Sequence, residues 1–154
     1  MHIRNSVKAL IIEDDKILLT KNQDAEGNFY LCPGGGQEHG EIFHATLVRE
    51  CIEEIGCSVD VGELLFIREY VGKNHEHASF DFNVHQVEFY FVCQLAQGIQ
   101  TKFQPTNPDS YQIGLEWLTI EDLSTYRLYP KELIKYLQQY CNGQETPIYL
   151  GDIN

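Results

Sequence analysis

The sequence predicts an α+β fold built on a mixed β-sheet, and three observations support this. Apolar, β-rich runs recur at Ser6–Ile12, Lys16–Lys21, Leu64–Val71, Val84–Leu95 and Gly114–Thr119. Helical periodicity is confined to two longer stretches, about Ile42–Ile55 and Pro130–Cys141. The 154 residues, 43% hydrophobic with nine Tyr and eight Phe, supply a core for one domain spanning 1–154. Strands therefore dominate and two main helices flank them, the pattern of an α+β chain.

Taken in order, Ser6–Ile12 and Lys16–Lys21 enclose Glu13-Asp14-Asp15, a hairpin turn. The turn-rich Gln23–Asn28 leads to a short strand at Phe29–Cys32. Gly34–Gly36 and His39-Gly40 mark a loop, after which the helical pattern runs to Ile55 and Gly56 stops it. The two clearest later strands, Leu64–Val71 and Val84–Leu95, are separated by the polar stretch GKNHEHASFDFN (72–83). Gly114–Thr119 runs into a short helix at Ile120–Leu123. The last helix places Leu133, Ile134, Leu137 and Tyr140 on one face. From Asn142 onward the pattern carries little signal.

Eleven Lys and Arg against 23 Asp and Glu give a net charge of −12. Such a chain lacks the basic face that non-specific binding to nucleic acid or to an anionic membrane requires. A small phosphate-bearing ligand stays compatible, because a divalent cation reverses the local sign. Five scattered cysteines (Cys32, Cys51, Cys57, Cys93, Cys141), with no CxxC, read as reduced and mostly buried thiols of a cytoplasmic protein. The N-terminal MHIRNSVKALIIEDD has too short an apolar stretch for a signal peptide, and no run approaches the roughly 18 apolar residues of a membrane span.

The chemistry concentrates in GGGQEHGEIFHATLVRECIEEIGC, residues 34–57. At about 100° per helical residue, Glu53 and Glu54 fall within about 60° of Glu50, while Val48, Cys51, Ile52 and Ile55 cluster opposite. Like charges three and four residues apart cost a helix a few tenths of a kcal/mol per pair. An ordinary solvated face offsets this with interleaved lysines, yet Gly35–Cys57 holds no Lys and only Arg49. Unrelieved carboxylates beside a glycine triplet suit a hard cation such as Mg²⁺, which takes oxygen ligands. The glycines let main-chain groups approach a metal or phosphate closely.

The spacing Gly35, five residues, Glu41, seven residues, Arg49-Glu50-Cys51, one residue, Glu53-Glu54, one residue, Gly56-Cys57 resembles the Nudix box. All charged and glycine positions of that pattern are met. Cys51 and Cys57 stand where the family generally has aliphatic residues, a change that touches packing more than chemistry. Tyr30–Gly35 and Leu115-Glu116-Trp117-Leu118 are similar to Nudix domains more loosely.

The resemblance implies the Nudix fold, a mixed sheet packed between helices as an α/β/α sandwich. It also implies hydrolysis of a nucleoside diphosphate linked to another moiety, with Mg²⁺ or Mn²⁺ as cofactor. Carried over by position, Glu50 and Glu54 are the principal metal ligands, with Glu53 a further ligand or water-holder. A main-chain carbonyl of Gly34 or Gly35 adds one more. Arg49 and Glu41 form a structural pair that fixes the helix against its preceding loop. The general base is either a box glutamate, Glu53 or Glu50, or an acid in the later loop, where Asp109 is the only one available.

Substrate selection is expected on the strands after the box. Alternation places Phe66, Arg68 and Tyr70 on one face, His85, Val87, Phe89 and Phe91 on another, and Gln86, Glu88 and Tyr90 opposite the latter. Arg68 suits a phosphate or carboxylate, Phe89 an aromatic base or the core, and a mid-strand acid such as Glu88 needs a reason to be buried. His75 and His77, without a nearby cysteine, are weak evidence for zinc. The 72–83 stretch is expected to be a mobile solvent loop or a cover over the substrate. REYVGKNHE resembles small Nudix proteins acting on ADP-ribose and nucleotide sugars, which are the first substrate expectation. The alternatives are a nucleoside triphosphate sanitising pyrophosphatase, a nucleotide-sensing Nudix domain without catalysis, and an acidic interaction module. A homodimer is compatible with all of these.

Overall fold

The computed structural model of the chain describes residues 1–98, 100 and 102–154. Strands β1 (Arg4–Glu13) and β2 (Lys16–Asp24) form the expected hairpin. Its two turn residues, Asp14 and Asp15, take positive φ of 49° and 60°. Short Asp side chains tolerate this conformation, which matches the strands' right-handed twist. There follow β3 (Gly27–Leu31), β4 (Gly34–Gly36), helix α1 (Phe43–Ile55), β5 (Val59–Val71), α2 (Ala78–Asp81), β6 (His85–Leu95), β7 (Gln112–Thr119), α3 (Leu133–Cys141) and β8 (Tyr149–Asp152).

The sheet is mixed. β1 runs parallel to β6 and antiparallel to β4, β6 is antiparallel to β5, and β5 is parallel to β8. β2 pairs antiparallel with β3 and β7. The two groups join only near the hairpin end, through Ile12↔Ile17 and Glu13↔Lys16.

Strand alternation divides the core. Val7, Ala9 and Ile11 of β1, with Phe91 and Cys93 of β6, pack beneath Leu47, Cys51 and Ile55 of α1. On the other side, Leu10, Phe66 and Tyr90 pack against Leu133, Ile134 and Leu137 of α3. Each helix covers one face of the sheet, so the α/β/α sandwich follows from the period-two and period-3.6 patterns acting together. No helix among the described residues is long and apolar enough to cross a membrane.

Three elements differ from the sequence expectation. The triplet Gly34–Gly36, expected as a loop, is a strand on β1. Gly34 has φ +140°, and a Cβ there would overlap the Val7 carbonyl, so glycine alone permits this approach. Having no side chains, the triplet shows no alternation to read. β5 begins at Val59, before the expected Leu64, because register shifts between Val61 and Phe66 break its pattern. The 72–83 stretch is not a free loop. It contains a 3₁₀ turn (Gly72–Asn74) and α2, and the C-terminal strand holds it. Asp152 accepts from the Val71 amide (2.9 Å) and the Asn74 amide group (2.7 Å) and meets His75 Nε2 at 2.6 Å. These partners lie almost 80 residues apart in sequence, beyond the reach of local pattern.

Arg68 and Glu88 form a buried pair across β5 and β6. Arg68, 6% exposed, donates from Nε to Glu88 (2.6 Å) and from Nη1 to the Ile153 carbonyl (2.6 Å). Glu88 also accepts from the Tyr90 hydroxyl (2.5 Å) and the Gln86 amide (2.6 Å). Against the upward push of burial, the charges of Arg68 and Lys8 hold Glu88 down at about 2. Glu88→Leu would leave the guanidinium buried and unpaired, at a cost of roughly 3–5 kcal/mol. Urea unfolding of this variant is expected to show that loss, and a change under about 1 kcal/mol contradicts the account.

Candidate active site

β4, the turn after it and α1 build the site. Glu41, just ahead of the helix, accepts from Arg49 Nε (2.7 Å) and Nη2 (2.9 Å), the Thr46 hydroxyl (2.8 Å) and the Glu38 amide (3.1 Å). This bidentate clasp pins the glycine segment to the second turn of the helix. It also depresses Glu41 to about 2, chiefly through Arg49. Arg49 further donates to the Gly36 carbonyl (3.1 Å), Glu50 (3.0 Å) and Glu53 (3.5 Å). One guanidinium therefore gathers three of the five acids of the stretch.

The rear of α1 is held as firmly. Gly56, in the left-handed conformation, returns its amide to Cys51 and Ile52. The segment before β7 and the first residue of β7 take further carbonyls. Thr106 Oγ1 donates to Ile52 (3.3 Å), the Asn107 amide to Glu53 (2.9 Å) and Gln112 Nε2 to Glu54 (2.8 Å).

The helical wheel placed Glu54 on the open acidic face, and here the structure corrects it. Glu54 is 4% exposed and sits on the packing side with Leu47, Cys51 and Ile55, whereas Ile52 is 40% exposed. The wheel gives relative angles, and the rotation of the helix over the sheet is set by the Gly34 amide, which donates to Glu54 Oε2 at 2.9 Å. Burial above all, and the adjoining Asp109 carboxyl, push Glu54 up to about 8, while Lys8 and the Gly34 amide oppose them. Glu50 is raised as well, by burial, with Arg49 opposing. Glu53 is half-buried beside Arg49. Asp109 is thus brought against Glu54 across 55 residues of sequence.

Sequence reasoning did not single out Lys8 or Gln112. Lys8 lies opposite Gly34 in the β1–β4 register, half-buried, and its charge is felt by Glu50, Glu54 and Glu88. It forms none of the ion pairs found among the described residues. The signal was a lysine inside the apolar run Val7-Lys8-Ala9-Leu10, an interruption that a half-buried strand does not need. Of the substrate candidates, Arg68 and Glu88 lie together, but Phe89 does not join them. Strand alternation sends it through to the α1 side, where it packs on Phe43 with ring centroids 4.4 Å apart.

The donor set fits a hard divalent cation. Glu50, Glu53 and Glu54 offer carboxylate oxygens, and a Cβ at Gly35 would overlap the Glu50 carboxylate, so glycine leaves the space that this acid fills. Among the described residues no three acidic, His or Cys side chains already converge as a cage. The cause is visible: Arg49 draws Glu50 and Glu53, and the Gly34 amide holds Glu54.

A family model, the NUDIX domain, matches residues 2–140. The chain belongs to the NUDIX family, whose enzymes are the Nudix hydrolases. Nucleoside diphosphate-linked moiety X motif 6 of Xenopus laevis is 29% identical over 126 residues, covering 75% of this chain and 49% of its own length. The chain spans between 31% and 49% of the length of such curated relatives. The fold is shared with an ADP-ribose pyrophosphatase of Streptococcus suis (TM-score 0.67, 22% identity, covering 98% of this chain and all of that one). It is also shared with a UDP-X diphosphatase (TM-score 0.71, 24% identity, covering 97% and 68%).

Two outcomes follow from the buried acid and its glycine cradle. Glu54 takes up a proton on folding, so its stabilisation is complete below its ordinary value of 4.5 and is lost as pH rises through about 8. Without divalent ions, Tm should therefore fall by on the order of 5 °C between pH 5 and pH 9, and Mg²⁺ should restore it at the upper end only. A metal-free Tm that does not change over this range contradicts the assignment. Gly35→Ala, which displaces the Glu50 carboxylate, should abolish the Mg²⁺-induced rise in Tm while the circular dichroism spectrum stays native.

Proposed function

We propose that the chain is a metal-dependent pyrophosphohydrolase. It cleaves a nucleoside diphosphate linked to another moiety, with ADP-ribose or a nucleotide sugar as first substrate, by attack of water on phosphorus. The observation that carries this reading is the set of carboxylates on one helix, with Glu50 against Gly35, Glu54 on the Gly34 amide with Asp109 beside it, and Glu53 on Arg49. The names of the S. suis and UDP-X structural neighbours support the substrate class.

Glu50 and Glu54, with Glu53, would hold Mg²⁺ or Mn²⁺, together with a carbonyl of Gly34 or Gly35. Bound there, the ion offsets charge on the phosphoryl oxygens and acidifies water. The chain's own groups then do the positioning. Arg49, clasped by Glu41, keeps the helix and the glycine strand in fixed relation. Gly34 and Lys8 steady Glu54. The proton acceptor is a box glutamate, Glu53 or Glu50, or Asp109, which adjoins Glu54.

The test is a panel of ADP-ribose, nucleotide sugars, dinucleoside polyphosphates, coenzyme A and nucleoside triphosphates, with and without Mg²⁺. AMP plus a sugar phosphate from ADP-ribose is the expected product pair. Pyrophosphate plus a monophosphate from a triphosphate would favour the sanitising reading, and nucleotide binding without turnover the sensing one. Glu54→Gln should lower turnover at least roughly 100-fold with the fold intact, the lower edge of what a positioned carboxylate contributes. Near-normal turnover by that variant sinks the assignment.

A further inference from the structure

The buried and half-buried arginines of the chain are all spent on charge-assisted hydrogen bonds. Arg49 clasps Glu41 at 2.7 and 2.9 Å. A cavity of about 340 Å³ on the α3 side of the sheet, with Phe29, Arg68, His77, Arg127, Tyr129 and the C-terminal Asn154 in its walls, shows the same habit. There Arg127 donates both Nη atoms to Asp24 (2.8 and 2.7 Å), and Arg68 donates to Glu88 and to the Ile153 carbonyl (2.6 Å each). Lys8 departs from it. Half-buried in β1, it makes none of the side-chain hydrogen bonds or ion pairs found among the described residues.

Lys8 has β4 on one side and β6 on the other, level with Gly34 and Tyr90. On the β6 side Glu88 is already served by Arg68, Tyr90 and Gln86. On the β4 side the backbone is bare, because three glycines put no side chain between Lys8 and the acids of α1. Gly34 comes so near that a Cβ on it would lie 2.9 Å from the Lys8 Cα, and the Glu50 carboxylate crowds the Cβ position of Gly35. Across this strand the charge of Lys8 is felt by both Glu50 and Glu54. One strand spacing, roughly 5 Å, separates β1 from β4, a span that the long stem of a lysine covers.

A cation kept only to neutralise these acids would close on them, as Arg49 does. Withdrawing an ammonium from water without a bonded partner costs stability, and groups held at such a cost are characteristic of functional positions. The residue type points the same way. A compact ammonium with rotatable donors on a flexible stem suits a phosphate oxygen, where the planar fork of an arginine suits a carboxylate.

We propose that Lys8 is a further catalytic residue, whose ammonium binds a non-bridging phosphoryl oxygen of a diphosphate lying along β4. It forms no covalent bond and gives up no proton. It offsets the charge that builds on that oxygen as water attacks, from the side opposite the box carboxylates. The proposal rests on the pyrophosphohydrolase reading and adds to it the group of the chain that receives the substrate's own negative charge.

Calorimetric titration with imidodiphosphate, a diphosphate that resists hydrolysis, tests it with and without Mg²⁺, beside a titration with Mg²⁺ alone. Lys8→Met should weaken imidodiphosphate binding at least about tenfold, the worth of one hydrogen bond to a charged group. Mg²⁺ alone should bind the variant at least as tightly as the wild type, because a neighbouring positive charge is gone. With the diphosphate substrate that the wild type cleaves, kcat should fall on the order of 100-fold, the scale of losing one donor to developing charge. Lys8→Gln serves if Lys8→Met fails to fold.

Imidodiphosphate binding by the variant that equals the wild type's overturns the proposal, as does wild-type protein that fails to bind it at millimolar concentration. So does Mg²⁺ binding that falls in step with diphosphate binding, the mark of a lysine that only steadies Glu54. The two readings fail separately. An active wild type whose Lys8→Met variant turns over and binds undiminished keeps the reaction and loses Lys8. Protein inert toward every pyrophosphate loses the reaction, and the imidodiphosphate titration still decides Lys8.

Discussion

A carboxylate placed on the packing side of a helix governs how the surrounding structure is arranged. Glu54 occupies a position that a Leu or Ile would fill more cheaply, because burying an ionisable group without partners is costly. The neighbours answer that cost in two ways. The Gly34 amide donates to it, which requires a strand that lies closer to β1 than any residue with a Cβ allows. Lys8 contributes a nearby positive charge from inside an otherwise apolar strand. Separately, the segment before β7 caps main-chain carbonyls at the helix end and brings Asp109 beside Glu54, a second carboxyl that favours the protonated form. With Glu54 on the packing side beside Leu47, Cys51 and Ile55, Ile52 is turned outward.

Much of this was legible in the sequence, for identifiable reasons. The two helices and the hairpin announce themselves through period, cap and turn chemistry, all of which are local. Arg49 and Glu41 were legible as a pair because Arg49 is the lone cation in 23 residues. What escaped depends on contacts between distant segments. β8 is short and pairs with β5 through three residues, so its pattern is slight. The 72–83 stretch looked like a polar loop because its anchor, Asp152, stands near the other end of the chain. Glu54 was assigned to the wrong side because a helical wheel cannot fix the absolute rotation of a helix.

The sheet also separates two kinds of polar chemistry. Around β4 and α1 the acids outnumber the cations, and their charges are held in check by Arg49 and Lys8. On the α3 side, Arg68 with Glu88 across β5 and β6, and Arg127 with Asp24 between the segment before α3 and β2, are balanced pairs. The first arrangement leaves an excess of negative charge. The second is closed on itself and acts as mortar for the cavity walls.

Helix α1 is fastened at both ends, at the front by Glu41 and Arg49 and at the rear by Thr106, Asn107 and Gln112. The cavity on the far side draws on Phe29, His77, Tyr129 and the C-terminal residue, none of which belongs to that fastening. In evolutionary terms the fastening of the helix and the lining of the cavity are insulated modules. Substitutions that remodel the cavity remove none of the hydrogen bonds that seat the helix, so a lineage sharing this scaffold can vary the one while keeping the other.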